Sequence, residues 1–406
     1  MYIKRKLEGK ILKYLDSPEI IAVVGPRQSG KSTMLGNILD KLENVSRVNF
    51  EDRAALNMFD KNIEDFVALY VTGKKYLFID EFQYAKNGGK KLKYIFDEHK
   101  IKIFISGSSA IDMTVNALKF LVGRIFIFQL QPFDFEEFLQ YEDKALVHIL
   151  QNENLIFKQL GVSKIGEEIA EKLKRYYEQY ALFGGYPRVV LAKDEEEKKE
   201  VLKNIYNTYF LREVRDILGL IDDYKLEKLI KALALQIGNL IEYDELGKIS
   251  EFSYPTLKKY LNFLEKTFIC NLVKPYYRNK RTEIVKNPKV YFLDCGLRNS
   301  IVNDFRKFED RTDGGQLLEN AIFMQLIKGG YSFNFWRNKK KNEVDFILQL
   351  PDQKMLALEV KSTLKNVQSR SIANFKKTYP EIEVAFACLK TNMNVKKSKV
   401  YPIWAV

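Results

Sequence analysis

The sequence predicts an α/β protein of several domains, and three observations carry that expectation. The length of 406 residues exceeds one ordinary core and suits two to four domains. Between about residues 20 and 130, short apolar runs alternate with helical stretches, the pattern of a parallel sheet covered on both faces. After about residue 310 the order helix, three strands, helix, strand indicates a second, smaller α/β unit.

The strands expected in the first region are Ile20–Val24, Ser46–Phe50, Tyr76–Ile79, Ile101–Ile105 and Ile125–Leu130. From about 135 to 240 the chain reads helical, with Glu167–Phe183 ending at the stop signal Gly184–Gly185. Then come helices at Tyr224–Gly238, Asp244–Ile249 and Tyr254–Thr267, followed by the apolar stretches Ile269–Val273 and Val290–Leu293 as a hairpin. Helices followed by a hairpin with a basic tip, Tyr277 to Arg281, fit a winged helix-turn-helix. The last region reads as helix Leu317–Ile327 and strands Ser332–Arg337, Glu343–Leu350 and Met355–Lys361, with a helix and a strand beyond. The expected domains are 1–140, 141–212, 213–300 and 301–406.

Composition narrows the function classes. A hydrophobic fraction of 46% and a charged fraction of 29% are ordinary for a globular chain. No apolar run reaches the roughly 18 residues of a membrane span. The start, MYIKRKLEGK, lacks the apolar stretch of a secretory signal, so a cytoplasmic protein without membrane partners is expected. Cys270, Cys295 and Cys388 have no metal spacing and are expected to be reduced. With His99 and His148 as the two histidines, zinc binding and His-based nucleophilic catalysis are disfavoured. A net charge of +13 points to a polyanionic partner, DNA first.

Gly25-Pro26-Arg27-Gln28-Ser29-Gly30-Lys31-Ser32, followed by Thr33, fits G-x-x-x-x-G-K-[ST] between a strand and a helix, the setting a P-loop requires. Its backbone amides wrap phosphates, Lys31 reaches the β and γ phosphates, and Ser32 ligates Mg²⁺. Tyr76–Ile79 then makes a buried strand with Asp80 and Glu81 at its carboxyl end. Asp80 is expected to hold Mg²⁺ and Glu81 to activate the attacking water. Ser106, at the tip of the next strand, is the expected sensor of the γ-phosphate or water. Arg124 is a candidate for stabilising transition-state charge, in cis or across a subunit boundary. ATP and Mg²⁺ are the cofactors expected.

Downstream, Asp345 lies in the strand segment Glu343–Phe346, and Glu359 and Lys361 are two apart on one strand, so both face one side. Glu319 sits on the preceding helix. Carboxylates so grouped can bind Mg²⁺, and a neighbouring lysine can stabilise a pentavalent phosphate. This set resembles the PD-(D/E)xK nuclease signature.

GPRQSGKST, LFIDEFQ, IFISGSS, LVGR with QPFDFEEF, and GGYP, taken in order, resemble the prokaryotic AAA-type, signal-transduction-like ATPases that carry a C-terminal restriction-endonuclease-like domain of unknown function. The resemblance spans nearly the whole chain. It implies a P-loop core, a helical lid at 141–212, a winged helix and a nuclease-like end domain. It also implies that the turn Gly185-Tyr186-Pro187 approaches the nucleotide, with Arg188 as a phosphate sensor. Such ATPases commonly form rings, so an oligomer is compatible.

A recognition helix with Lys258, Lys259 and Lys266, plus a wing carrying Lys274, Arg278, Lys280, Arg281, Lys286 and Lys289, suits phosphate contacts on duplex DNA. Three functions therefore compete: an ATP-driven machine on DNA, a nucleotide-operated switch that binds a protein partner through an inactive end domain, and a metal-dependent nuclease gated by ATP.

Overall fold

The computed structural model describes residues 2–108, 120–152, 165–210, 223–363, 369–390 and 399–406. The chain forms two compact units, residues 1–132 with 266–268, and residues 133–265 with 269–406. The expected boundary at residues 212/213 lies outside the described residues.

The first unit is built on a five-stranded sheet, β1 (Ile20–Val24), β2 (Val45–Asn49), β3 (Tyr76–Asp80), β4 (Lys102–Gly107) and β5 (Ile125–Gln129), in the order β2-β3-β4-β1-β5. Its four pairings are all parallel. Ile-Ile-Ala-Val-Val of β1 is buried throughout, as a central strand covered on both faces must be. On one face, Met34, Leu35, Ile38 and Leu39 of the helix Lys31–Leu39 pack on Ile21, Val23, Phe78 and Phe104. Elsewhere in the unit, Phe50, Phe59, Phe66 and Phe82 form an aromatic cluster with centroids 4.9–6.3 Å apart.

Register decides which residues share an end of this sheet. Val23 pairs with Ser106 and Ile79 with Ile105, so the chain leaves β1, β3 and β4 at one edge. Because β4 lies between β1 and β3, Ser106 stands between the phosphate-loop strand and Asp80. Arg124 precedes β5, and Ile125 pairs with Ile20, the first residue of β1. A five-residue strand spans roughly 16 Å, which puts Arg124 at the opposite edge from the loop that follows Val24. There it pairs with Asp97 at 2.9 Å. An in-cis role for Arg124 is therefore corrected: strand direction removes it from the phosphate end.

The second unit carries helices Phe135–Glu142, Lys144–Asn152, Glu167–Phe183, Pro187–Val190 and Glu195–Asn204, then Asp223–Leu235, Tyr243–Ser250 and Tyr254–Lys266. An antiparallel pair follows, β6 (Cys270–Val273) and β7 (Lys289–Phe292). The connection between them holds a short helix, Lys280–Val285, where a plain basic tip is expected; Asn279 caps it by accepting from the Arg281 N–H at 3.1 Å. The base of this connection is laced to β8 (Ser332–Arg337): Phe335 N–H donates to Lys274 O at 3.2 Å and Tyr276 N–H to Phe335 O at 2.5 Å. Helix Gly314–Lys328 leads to a sheet ordered β12-β11-β10-β9-β8, with β9 (Glu343–Gln349), β10 (Met355–Thr363), β11 (Glu383–Lys390) and β12 (Lys399–Pro402). β8, β9 and β10 pair antiparallel, and β10, β11 and β12 parallel.

The Gly184–Gly185 turn has a packing reason. Gly184 has φ +75°, and a Cβ there would meet Asp294 Oδ1 at 2.0 Å; at Gly185 it would meet Phe133 O at 2.1 Å. Asp294 is buried, accepts the Gly185 N–H at 2.8 Å, and caps the helix Cys295–Val302 through Leu297 N–H.

Candidate nucleotide site and the C-terminal carboxylate centre

The phosphate loop carries three signs of a waiting anion. Gly30 adopts a left-handed conformation (φ 91°) and opens the nine-residue helix Lys31–Leu39, which has no side-chain N-cap and no acid in its first turn. The first N–H groups of such a helix lack intrahelical acceptors and carry the positive end of its dipole. Lys31 is 5% exposed and its ammonium donates to Gly25 O and Pro26 O, both at 2.9 Å, curled onto the loop. The Ser29 hydroxyl is buried without a hydrogen-bond partner. Ser32 and Thr33, by contrast, are exposed at the helix start. Gly25 cannot be exchanged, because a Cβ there would stand 2.0 Å from Leu130 O. These features fit a nucleotide triphosphate with Mg²⁺, held by the loop amides, Lys31, Ser32 and Asp80.

Asp80 ends β3, and its Oδ1 takes the hydrogen bond of the fully buried Ser106 hydroxyl. Ser106 therefore holds Asp80 in place. Glu81 follows with φ 54° and ψ 43°, a left-handed conformation rare for a non-glycine residue. Its carboxylate accepts from Gln83 Nε2, which also reaches Ser108 Oγ at 3.1 Å. Burial pushes the Glu81 carboxyl above its ordinary value, against the pull of the Gln83 bond and the Lys31 charge. A half-buried carboxyl beside the phosphate-loop lysine, its pKa raised by desolvation, is suited to taking a proton from water.

Arg5, Gln83 and Ser108 escaped sequence reasoning, as did the contact that Arg27 of the loop makes with Tyr84. Arg5, 5% exposed, donates to Ser29 O at 2.8 Å and to Gln131 O at 2.6 Å, clamping the loop from the N-terminal segment. Arg27 reaches the Tyr84 hydroxyl at 3.2 Å, joining the loop to the turn after β3. Gln83 and Ser108 orient Glu81. Gln83 and Tyr84 lie in sequence beside Asp80–Glu81, which is a usable signal; Arg5 offers none. Pro187 belongs to the second unit, where it opens the short helix Pro187–Val190, and Arg188 pairs with Glu197 at 2.5 Å.

In the C-terminal centre, Glu359 and Lys361 face one side of β10 as spaced, with Lys361 Nζ 2.7 Å from Glu359 Oε1. The β9–β10 ladder runs to Leu358–Phe346, and the Val360 N–H beyond it goes to Asp345 Oδ2 at 2.8 Å. Glu319 is 8% exposed and its Oε1 accepts from the Tyr291 hydroxyl and, at 2.9 Å, from Lys289 Nζ. Lys289 also lies 2.5 Å from Glu343 Oε1, and Arg337 lies 3.0 Å from Glu343 Oε2. The placement of Lys289 on a DNA-facing wing is corrected: it is 1% exposed, turned inward from β7.

Burial would by itself lower the Lys289 pKa. The charges of Glu319, Glu343 and Asp345 reverse the direction and keep it an ammonium. Burial pushes Glu319 up to about 7, and burial with the Glu359 charge raises Asp345 as well. The Mg²⁺ expected at Glu319, Asp345 and Glu359 is poorly served here. Glu359 Oε2 is buried without a hydrogen-bond partner, but Glu319 Oε1 is already engaged by Lys289 and Tyr291, and Asp345 Oδ2 by the Val360 N–H. Among the described residues, no group of three or more His, Cys, Asp or Glu is disposed to hold a metal ion.

Comparison with known proteins agrees with the first unit. Residues 17–139 match an AAA domain, residues 174–307 a domain of unknown function (DUF8612), and residues 314–406 another (DUF4143). An uncharacterized protein of Haemophilus influenzae is 26% identical over 362 residues, covering 85% of this chain and 83% of its own length. One from Methanocaldococcus jannaschii is 26% identical over 410 residues, covering 97% and 84%. Among solved structures, the Walker-type ATPase of Pyrococcus abyssi is similar over 74% of this chain and 96% of its own, at 17% identity and a TM-score of 0.47. The parallel five-stranded sheet and phosphate loop of the first unit are those of the P-loop ATPase fold, and the AAA-domain match falls on the same residues. No helix among the described residues is long and apolar enough to cross a membrane.

Proposed function

We propose that the chain hydrolyses ATP. The observation that carries this is the convergence of Lys31, Asp80 and the half-buried Glu81 carboxyl, its pKa raised by desolvation, at one edge of the first sheet. The loop amides and Lys31 hold the phosphates, and Mg²⁺ bound with ATP supplies charge neutralisation. Asp80 and Ser32 are the residues that would hold that ion. Glu81, steered by Gln83, takes the proton of the attacking water. Phosphate release measured for wild type and Lys31→Ala tests the reading: turnover that survives Lys31→Ala overturns it.

The partner in this reading is DNA, contacted where the winged-helix segment meets the nuclease-like end domain. A cavity of about 370 Å³ between the β6–β7 connection and the β8–β9 turn supports this. Its walls include Lys286, Arg337 and Lys339, the aromatic Tyr277 and Phe335, and no acid. Lys340 and Lys341 stand exposed in the same turn. Cations around aromatic faces suit a phosphate backbone with its bases. The double variant Lys286→Glu/Lys339→Glu is expected to weaken DNA affinity at least tenfold in anisotropy titrations and to flatten the salt dependence. Unchanged affinity with intact ATPase turnover removes DNA from the reading and favours a protein partner.

A further inference from the structure

The acids of the end domain invite a metal, yet each already holds at least one partner from the chain itself, although Glu359 Oε2 stays unpartnered. Glu319 and Glu343 converge on the ammonium of Lys289, at 2.9 and 2.5 Å. The Tyr291 hydroxyl takes the same oxygen of Glu319. Glu359 is paired with Lys361 at 2.7 Å, and Asp345 accepts the Val360 N–H at 2.8 Å. Three cations, Lys289, Lys361 and Arg337, thus stand among four carboxylates, Glu319, Glu343, Asp345 and Glu359. A divalent ion entering there displaces hydrogen bonds it cannot replace and meets an ammonium it cannot expel. Lys289 comes from β7, follows the buried Pro288, and lies 5.4 Å from the Phe335 ring, enclosed rather than able to swing to solvent.

We propose that Lys289 is the resident cation of this centre. Its ammonium supplies the positive charge that a divalent metal supplies in a phosphodiester-cutting site, so the centre works as a metal-free ion-pair lock between β7, the helix Gly314–Lys328 and β9. The chain then engages DNA or another partner without cutting it. This inference concerns the second unit and holds whether or not the first hydrolyses ATP.

The test counts Mn²⁺ ions bound to the full-length, nucleotide-free protein by electron paramagnetic resonance, in wild type, Asp345→Asn, Lys289→Met and Lys289→Met/Asp345→Asn. Wild type and Asp345→Asn are expected to bind equally, Lys289→Met to gain one site, and the double variant to lose it. A wild-type site that Asp345→Asn removes overturns the proposal, as does a folded Lys289→Met that gains none. If Lys289→Met does not fold, the comparison of wild type with Asp345→Asn still decides, and Mg²⁺-dependent plasmid cleavage lost in Asp345→Asn overturns it independently.

Discussion

Two of the buried lysines, Lys31 and Lys289, stand in opposite circumstances. Lys31 rests on the carbonyl oxygens of its own loop, beside helix amides without intrahelical acceptors and an unpartnered serine hydroxyl. Lys289 rests on two carboxylates. Neutral acceptors are cheaply exchanged for a phosphate, whereas a desolvated carboxylate pair holds its cation permanently. The first site is poised for a ligand, and the second has satisfied its charges internally. The adjoining acids follow the same division. Glu81 is held by a neutral amide and left available as a base, while Glu359 is held by an ammonium.

The comparison can be broken most forcefully at Lys289. Lys289→Ala strands the buried Glu319 and leaves Glu343 to Arg337, and the expected cost is about 3–5 kcal/mol in urea denaturation of the second unit; a loss below 1 kcal/mol contradicts the lock. Gly185→Ala places a Cβ against Phe133 O and should cost about 1–3 kcal/mol by the same assay.

The pH dependence of turnover sharpens the other side. A base works deprotonated, so activity rises with pH through the pKa of Glu81, which burial lifts above the ordinary 4.5. The acid limb of the kcat profile should therefore lie above pH 4.5. A flat profile across the acid range denies Glu81 its role.

The smallest effect is expected at Arg124. Arg124→Ala breaks a half-exposed pair with Asp97, costs about 0–1 kcal/mol, and leaves turnover within twofold in dilute solution. A large loss that appears only as concentration rises would put Arg124 at a neighbour's site.

How much could be read in advance follows the same division. The phosphate loop, Asp80 and Glu81 were legible because their chemistry is written in contiguous residues whose strand and helix context is local. Glu359 and Lys361 were legible as a pair because a strand alternates its faces. The Lys289–Glu319 pair was not: the two lie 30 residues apart, and a lysine in a basic stretch gives no sign of turning inward. Arg5 was missed for the same reason, since its contact with Ser29 spans 24 residues. Arg124 was misplaced because its motif marks nearness to β5 without saying which edge of the sheet it occupies. The helix Lys280–Val285 was hidden by its charges, although Asn279 before it is a capping residue.

The most direct test of the central claim is Glu81→Gln, assayed together for ATP binding and phosphate release. Glutamine keeps the shape and the polar contact with Gln83 but cannot accept the proton. ATP should bind with near wild-type affinity while kcat falls about 10²–10⁴-fold. Turnover within a few-fold of wild type would contradict the account.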